Sequence, residues 1–293
     1  MNLTYVESFL AVATTGGFRQ AAKQISLSQP TVSQHISKLE QLLKAALIVR
    51  KHSGCTLTTE GRAFVPYAET LLRTSRRALL LFEKQTVVIG ASSNIGIYLL
   101  PPYLKAYQRA NDEVQMVELV IDSNPVIAEK LQNLEVDIAV MEWWDNRPGF
   151  HTKIWRREDL VVIVAPDHPW SKLPVIDKDR LKGCNLLGGE PGTGTGRLLQ
   201  SYFGDDASSI GIAMQLGSTE AVKRAVQAGL GISLALRSTV SQEHAAGTLR
   251  AIPFAERPPQ KDLYVIWPDT SLPDSATFKF PRFLADNTFS SPV

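Results

Sequence analysis

Leu27-Ser28-Gln29-Pro30-Thr31-Val32-Ser33-Gln34-His35-Ile36-Ser37-Lys38-Leu39-Glu40 is the stretch from which the rest of the chain can be read. Pro30 suits the first turn of a helix, where its missing N–H has no intrahelical partner. Val32, Ile36, Leu39 and Leu43 then step by four, three and four, a single apolar stripe. The opposite side carries Gln29, Thr31, Ser33, Gln34, Ser37, Lys38 and Gln41. Short hydroxyl and amide groups at the N-terminal end of such a helix can approach base edges in a major groove, where Gln reads adenine and Ser or Thr reads either type. The same end favours a phosphate. An ordinary surface helix has a similar polar face, so the pattern alone leaves both readings open.

Working outward, Leu3, Val6, Phe9, Leu10 and Ala13 recur at helical spacing until Gly16-Gly17 ends that helix. A second short helix starts at Phe18, and its small Ala21 and Ala22 let a neighbour cross closely. Downstream, two short polar stretches between Arg50 and Thr58, with Ser53-Gly54 as the turn, suit a small β-hairpin wing. From about Thr58 to Phe82 one long helix is predicted, capped by Thr58 or Thr59 and loosened near its start by Pro66. Its apolar face, from Phe64 to Phe82, needs burial, and a second copy of the helix is the simplest partner.

Charge separates this beginning from the rest. Residues 1–85 carry 11 Lys/Arg against 5 Asp/Glu, and the remaining residues 20 against 24, so a polyanion partner belongs to the N-terminal part. Nothing resembles a signal peptide or a membrane span, and the two cysteines, Cys55 and Cys184, lie far apart. Both observations fit a soluble protein of a reducing cytoplasm.

From Thr86 the pattern changes to strands alternating with helices. Apolar runs appear at 86–90, 116–121, 137–140, 160–165, 185–187, 213–216, 231–235 and 263–267, with helical patterns at 98–109, 125–134, 197–203 and 219–228. This is the rhythm of open, mostly parallel sheets flanked by helices, and just over 200 residues suit two lobes. Pro166, Pro169 and Pro174 mark a crossing between them. Three loops each follow a strand and open a helix: Ala91-Ser92-Ser93-Asn94, Pro191-Gly192-Thr193-Gly194-Thr195 and Gly217-Ser218-Thr219-Glu220. Such loops line the crevice at the carboxyl ends of strands, and their hydroxyls and free N–H groups suit a carboxylate, phosphate or sulfur oxyanion. Plain helix capping would place the same residues there.

An enzyme is the main rival class. Gly192-Thr193-Gly194-Thr195-Gly196-Arg197 lacks the Gly-Lys-(Ser/Thr) of a phosphate loop. The five histidines are scattered without metal spacing, and no Gly-x-Ser-x-Gly elbow or Cys/His pair appears. No catalytic residue, metal or cofactor is expected. An exported solute-binding protein would share the two-lobed body, but it would leave the N-terminal motif unexplained.

The N-terminal segment resembles the signature of LysR-type transcriptional regulators. Gly16-Gly17-Phe18-Arg19-Gln20-Ala21-Ala22 is similar to the family's Gly-x-Phe-x-x-Ala-Ala. Gln29-Pro30-Thr31-Val32-Ser33 and Ile36-Ser37-Lys38-Leu39-Glu40 match its next part, and Leu43, Leu47, Arg50 and Leu57-Thr58-Thr59-Glu60-Gly61 the last. Lys44 stands where the family usually has Gly, Ile48 where it has Phe, and Gln24 precedes Ile25 where Leu is common. The match spans about sixty residues. More weakly, Ser92–Pro101 and Glu190–Thr195 look like effector loops of regulators of carbon fixation and sulfur assimilation, and Ala228-Gly229-Leu230-Gly231-Ile232 resembles a recurring family turn.

The resemblance implies an α/β protein in three parts. A winged helix-turn-helix DNA-binding domain, mainly α, occupies 1–58, and a linker and dimerisation helix 59–85. A two-lobed, periplasmic-binding-protein-like effector domain occupies 86–293, with lobe I at about 86–162 and 266–293 and lobe II at about 163–265. It implies that Gln29, Pro30, Thr31, Ser33 and Gln34 face double-stranded DNA, with Lys38, Arg50 and Lys51 near phosphates, while His35 packs. Ser92, Ser93, Asn94, Thr193, Thr195 and Ser218 become candidate contacts to a small, anionic effector. Glu142 and Trp143 either line the crevice or, for the Trp, serve the core. RNA polymerase and further copies of the chain, as homodimer or homotetramer, are the other implied partners.

Overall fold

The computed structural model describes residues 1–51, 54–80, 86–111, 116–189, 195–271 and 275–287. These fall into two compact units, 1–83 and 84–293.

The first unit is three helices, a wing and a long helix. In α1 (Leu3–Thr15) the Asn2 side chain caps the start by accepting from Thr4 N, and Gly16, at φ 68°, ends it. Helix α2 (Phe18–Gln24) buries Ala21 and Ala22 against α1. In α3 (Gln29–Leu43) Ser28 Oγ accepts from Thr31 N at 3.2 Å, Pro30 occupies the first turn, and Val32, Ile36 and Leu39 are buried. Lys44 closes α3 in the left-handed region, at φ 54°, which explains why a glycine is at home there. Strands β1 (Ile48–Lys51) and β2 (Gly54–Leu57) form the antiparallel wing, with Lys51 opposite Gly54.

Helix α4 (Thr59–Leu80) runs through Pro66 without interruption. Thr58 Oγ1 receives Gly61 N at 2.8 Å and donates to Ala46 O at 2.7 Å, tying the helix start to the chain ahead of the wing. Gly61 itself is required by space: a Cβ there would lie 2.1 Å from Leu47 O. The expected Phe82 end of this helix lies outside the described residues.

The second unit opens with β3 (Thr86–Ser92), a π-helical turn (Ile95–Leu99) and α5 (Leu100–Ala110). There follow β4 (Met116–Asp122), α6 (Asn124–Gln132), β5 (Ile138–Met141) and the 15-residue β6 (Phe150–Val164). Next come β7 (Asn185–Gly188), α7 (Thr195–Phe203), β8 (Gly211–Gln215), α8 (Thr219–Gln227) and β9 (Ser233–Leu236). Helix α9 (Ser241–Ala245), β10 (Arg250–Ile252), β11 (Gln260–Pro268) and α10 (Ala276–Asp286) complete the described chain.

Strands β4, β3 and β5 are parallel, as are β7 and β8, but β11 pairs antiparallel with both β5 and β6. The reason is the way the chain changes lobe. Residues 150–159 of β6 pair with β11, while residues 160–164 pair with β9 and β10. The chain leaves one lobe along β6 and returns along β11, so two crossing strands lie side by side in opposite directions. Prolines 166, 169 and 174 come after this crossing. One core gathers Tyr103, Tyr107, Trp155 and Phe280 beneath α5 and α10, and another gathers Val164, Leu186, Phe203 and Ile232 in the second lobe.

Candidate DNA-binding face and ligand crevice

On the first unit, the α3 stripe is buried and its polar side faces outward. Gln29, Pro30 and Gln34 are exposed, and neither amide has a hydrogen-bond partner among the described residues. Thr31 Oγ1 lies 2.7 Å from Ser28 Oγ, so it is partly engaged in the cap. The Arg50 guanidinium donates to Ser33 Oγ at 2.6 Å and sits 4.5 Å over the Phe18 ring. The wing is thereby joined to the reading helix through one of the very hydroxyls expected at the bases. Lys38 Nζ lies 5.7 Å over the Tyr5 ring, and Lys51 is exposed at the wing. His35 is held inward, its Nδ1 2.8 Å from Ser8 Oγ and its ring against Tyr5. Sequence reasoning missed Glu40, whose Oε1 accepts from Leu47 N at 2.7 Å and Ile48 N at 3.1 Å. This one carboxylate fixes where the wing leaves α3.

In the second unit, Ser92 ends β3 and Asn94 immediately precedes the π-helical turn. Both are buried, while Ser93 is half-buried. Asn94 Nδ2 donates to Glu142 Oε1 at 2.9 Å, and Lys261 donates to Glu142 Oε2 at 2.5 Å. The Glu142 backbone N–H donates to Asn124 Oδ1 at 3.2 Å. Adjacent strands β3 and β5 thus bring three of the expected residues, Ser92, Asn94 and Glu142, to one floor. Lys261 and Asn124 join them there, and neither was singled out in the sequence. Trp143 is half-buried, while its neighbour Trp144 is buried edge-on to Phe150.

The opposing lobe contributes less of what was expected and something more. Ser218 is half-buried, and its Oγ accepts from Ala221 N at 3.1 Å, an N-cap on α8. Thr195 is the first residue of α7, and Thr193 lies outside the described residues. What was not foreseen is Lys223, only 2% exposed although charged. Its Nζ lies 2.6 Å from Glu243, 2.9 Å from Glu220 and 3.3 Å from Thr239 O, and 4.5 Å over the Tyr98 ring. Burial alone would push this ammonium down, but bonds to Glu243, Glu220 and Tyr98 more than offset it and hold it above the ordinary lysine value. Tyr98 Oη donates to Glu220 Oε2 at 3.1 Å, so a residue of the π-helical turn clasps α8 of the other lobe.

Among the described residues no group of His, Cys, Asp or Glu could hold a metal ion, and no helix is long and apolar enough to cross a membrane.

A winged helix-turn-helix with an outward reading helix, carried with a two-lobed α/β binding domain, defines a transcription regulator with a built-in sensor. Comparison with known proteins agrees. Residues 3–62 match the bacterial regulatory helix-turn-helix of the LysR family, and residues 82–288 the LysR substrate binding domain. The chain belongs to the LysR family of DNA-binding transcriptional regulators; it is not an enzyme.

Among its relatives is a putative HTH-type transcriptional regulator, PtxE, of Stutzerimonas stutzeri. It is 44% identical over 195 residues, which are 67% of this chain and 100% of that one. A probable RuBisCO transcriptional regulator of Cyanidioschyzon merolae is 29% identical over 290 residues, covering 95% of both chains. Of solved structures, a full-length OxyR variant from Pseudomonas aeruginosa matches with TM-score 0.66 and 26% identity, over 98% of this chain and 94% of that one. CbnR bound to its target DNA matches in fold with TM-score 0.59 and 20% identity, over 98% and 99%.

Proposed function

We propose that this regulator reads double-stranded DNA with the N-terminal half of α3 and changes its output when a small, anionic effector enters the crevice between the sensor lobes. The observation that carries the DNA reading is the outward face of α3, where exposed Gln29 and Gln34 amides stand on a helix whose opposite stripe is buried. Gln29, Pro30, Thr31, Ser33 and Gln34 contact base edges, while Lys38, Arg50 and Lys51 meet phosphates. The Arg50–Ser33 bond gives Arg50 a second duty, because it orients a base-reading hydroxyl as well as offering charge.

The α4 helix pairs two such units into a homodimer, and further pairing of sensor domains gives a tetramer. Two-fold symmetry then calls for an inverted-repeat operator with half-sites about one helical turn apart. The protein works in the cytoplasm, with RNA polymerase as the partner that receives the signal. In the sensor, Ser92, Ser93, Asn94, Glu142, Thr193, Thr195 and Ser218 surround the effector, and the helix starts at Thr195 and Thr219 favour negative charge. Effector acts through unequal affinity for two arrangements of the assembly.

Gel shifts on an operator and its single-base variants test the division of labour. Gln29→Ala should relax preference at one position by about 1–3 kcal/mol, and Lys51→Ala should weaken all sequences alike and flatten the salt dependence. Identical behaviour of the two variants would overturn the assignment.

A further inference from the structure

At the carboxyl end of β3, two buried oxygens, Ser92 Oγ and Asn94 Oδ1, have no hydrogen-bond partner among the described residues. Their residues are only 2% and 8% exposed. Native interiors rarely leave such groups unpaired, and two of them within three residues mark a place where a bound molecule completes the network.

The chemistry of the two oxygens is not the same. Asn94 Nδ2 donates to the Glu142 carboxylate at 2.9 Å, and turning the amide over would set Oδ1 against a carboxylate oxygen. The orientation is therefore fixed by the ion, and Asn94 Oδ1 can only accept. Ser92 Oγ can donate or accept. Glu142 adds a second acceptor beside Asn94, its charge balanced by Lys261.

We propose that this floor selects an effector oxyanion that still carries an O–H, one group donating to Asn94 Oδ1 while another oxygen accepts from Ser92. Inorganic phosphate belongs to this class at neutral pH, because both of the ionised forms present there keep an O–H. Sulfate does not, because it is fully ionised and would set acceptor against acceptor at Asn94. The inference rests on the crevice reading given above and narrows it from anion to protonated anion.

Calorimetry on the full chain, dialysed free of both ions, provides the test, with inorganic phosphate and sulfate as the probes. Phosphate should bind at least about tenfold more tightly than sulfate at neutral pH, and Ser92→Ala should weaken phosphate by about tenfold or more. The ratio in the unaltered chain needs no variant to fold, and thermal melts show whether Ser92→Ala does. Equal binding of the two ions would overturn the donor rule. So would failure of both, if an organic carboxylate without an O–H donor then raised the melting temperature in a Ser92-dependent way; the crevice reading would survive that result. If effective small molecules act independently of Ser92, Asn94 and Ser218, the donor rule and the crevice reading fall together.

Discussion

The two units handle polarity in opposite ways. The DNA-binding unit keeps its working side chains outside: Gln29 and Gln34 are exposed, and the polar groups beneath them are spent on backbone shape. Ser28 caps α3, Thr58 opens α4, and Glu40 holds the two N–H groups at the wing entry. The sensor unit puts charge inside, with Glu142 against Lys261 in one lobe and Lys223 among Glu220 and Glu243 in the other. A surface that meets DNA can be built from short side chains on a stiff helix, because the partner brings its own charge. A sensor for a small molecule must bury polar groups, and each buried ion depends on its neighbour. Deleting charge should therefore injure the sensor most, and disturbing the backbone frame should injure the DNA-binding unit most.

The largest expected effect comes from Glu142→Ala. Removing one member of a buried ion pair costs about 3–5 kcal/mol, since the remaining charge keeps its desolvation without its counterpart. All five tryptophans, Trp143, Trp144, Trp155, Trp170 and Trp267, lie in the second unit, so intrinsic fluorescence during urea unfolding reports that unit alone. The fluorescence transition should move to markedly lower urea. An unmoved transition would break the comparison at its strongest point.

Glu40→Ala comes next. Two backbone donors, at buried Leu47 and half-buried Ile48, lose their acceptor, at about 1–3 kcal/mol of local stability. Amide exchange at 47 and 48 should quicken and operator affinity should fall, while the tryptophan transition stays in place. A shifted tryptophan transition would mean that the two units do not fail separately.

How far these features were legible in the sequence follows the same division. The reading helix could be read because its residues act locally: the stripe of Val32, Ile36 and Leu39 and the caps around it are short-range patterns. Tyr98 and Lys223 were not legible, because their contact spans two lobes and more than a hundred residues. Lys261 sits in a strand whose apolar run starts only at Leu263, so no local pattern signals that its ammonium reaches Glu142. The first ten residues of β6 were also missed. Their polar side chains are largely exposed, and only pairing with β11 defines them as strand. Ser92 and Asn94 were reached through a loop pattern, but their unpaired oxygens belong to the folded geometry.

Tyr98→Phe sharpens the comparison on the scale of a single contact. The ring stays under the Lys223 ammonium, while the hydroxyl's bonds to half-exposed Glu220 and to Lys223 are lost. The cost should be about 0.5–1 kcal/mol, at the low end for a hydrogen bond because water can reach Glu220. If the clasp holds the lobes together, the loss should appear as faster amide exchange in both the π-helical turn and the start of α8. Exchange that quickens on one side only would assign Tyr98 to its own lobe.

The smallest effect should be a gain, and it lies in the DNA-binding unit. Lys44 occupies the left-handed region at φ 54°, which costs an L-residue about 1–2 kcal/mol. Lys44→Gly removes that strain but admits about 0.5–1 kcal/mol of extra freedom in the unfolded chain. The balance favours glycine by between about 0 and 1.5 kcal/mol. Circular dichroism should show a slightly higher melting temperature for the helical signal, with the tryptophan transition untouched. Because a lysine at this exposed helix end also offers a positive charge, affinity for operator and for unrelated DNA should be measured beside it. A stabilised variant with equally weakened binding to both would mean that the strain is retained for a phosphate contact. A stabilised variant with unchanged binding would leave Lys44 as a tolerated departure in a frame that is otherwise set by its caps.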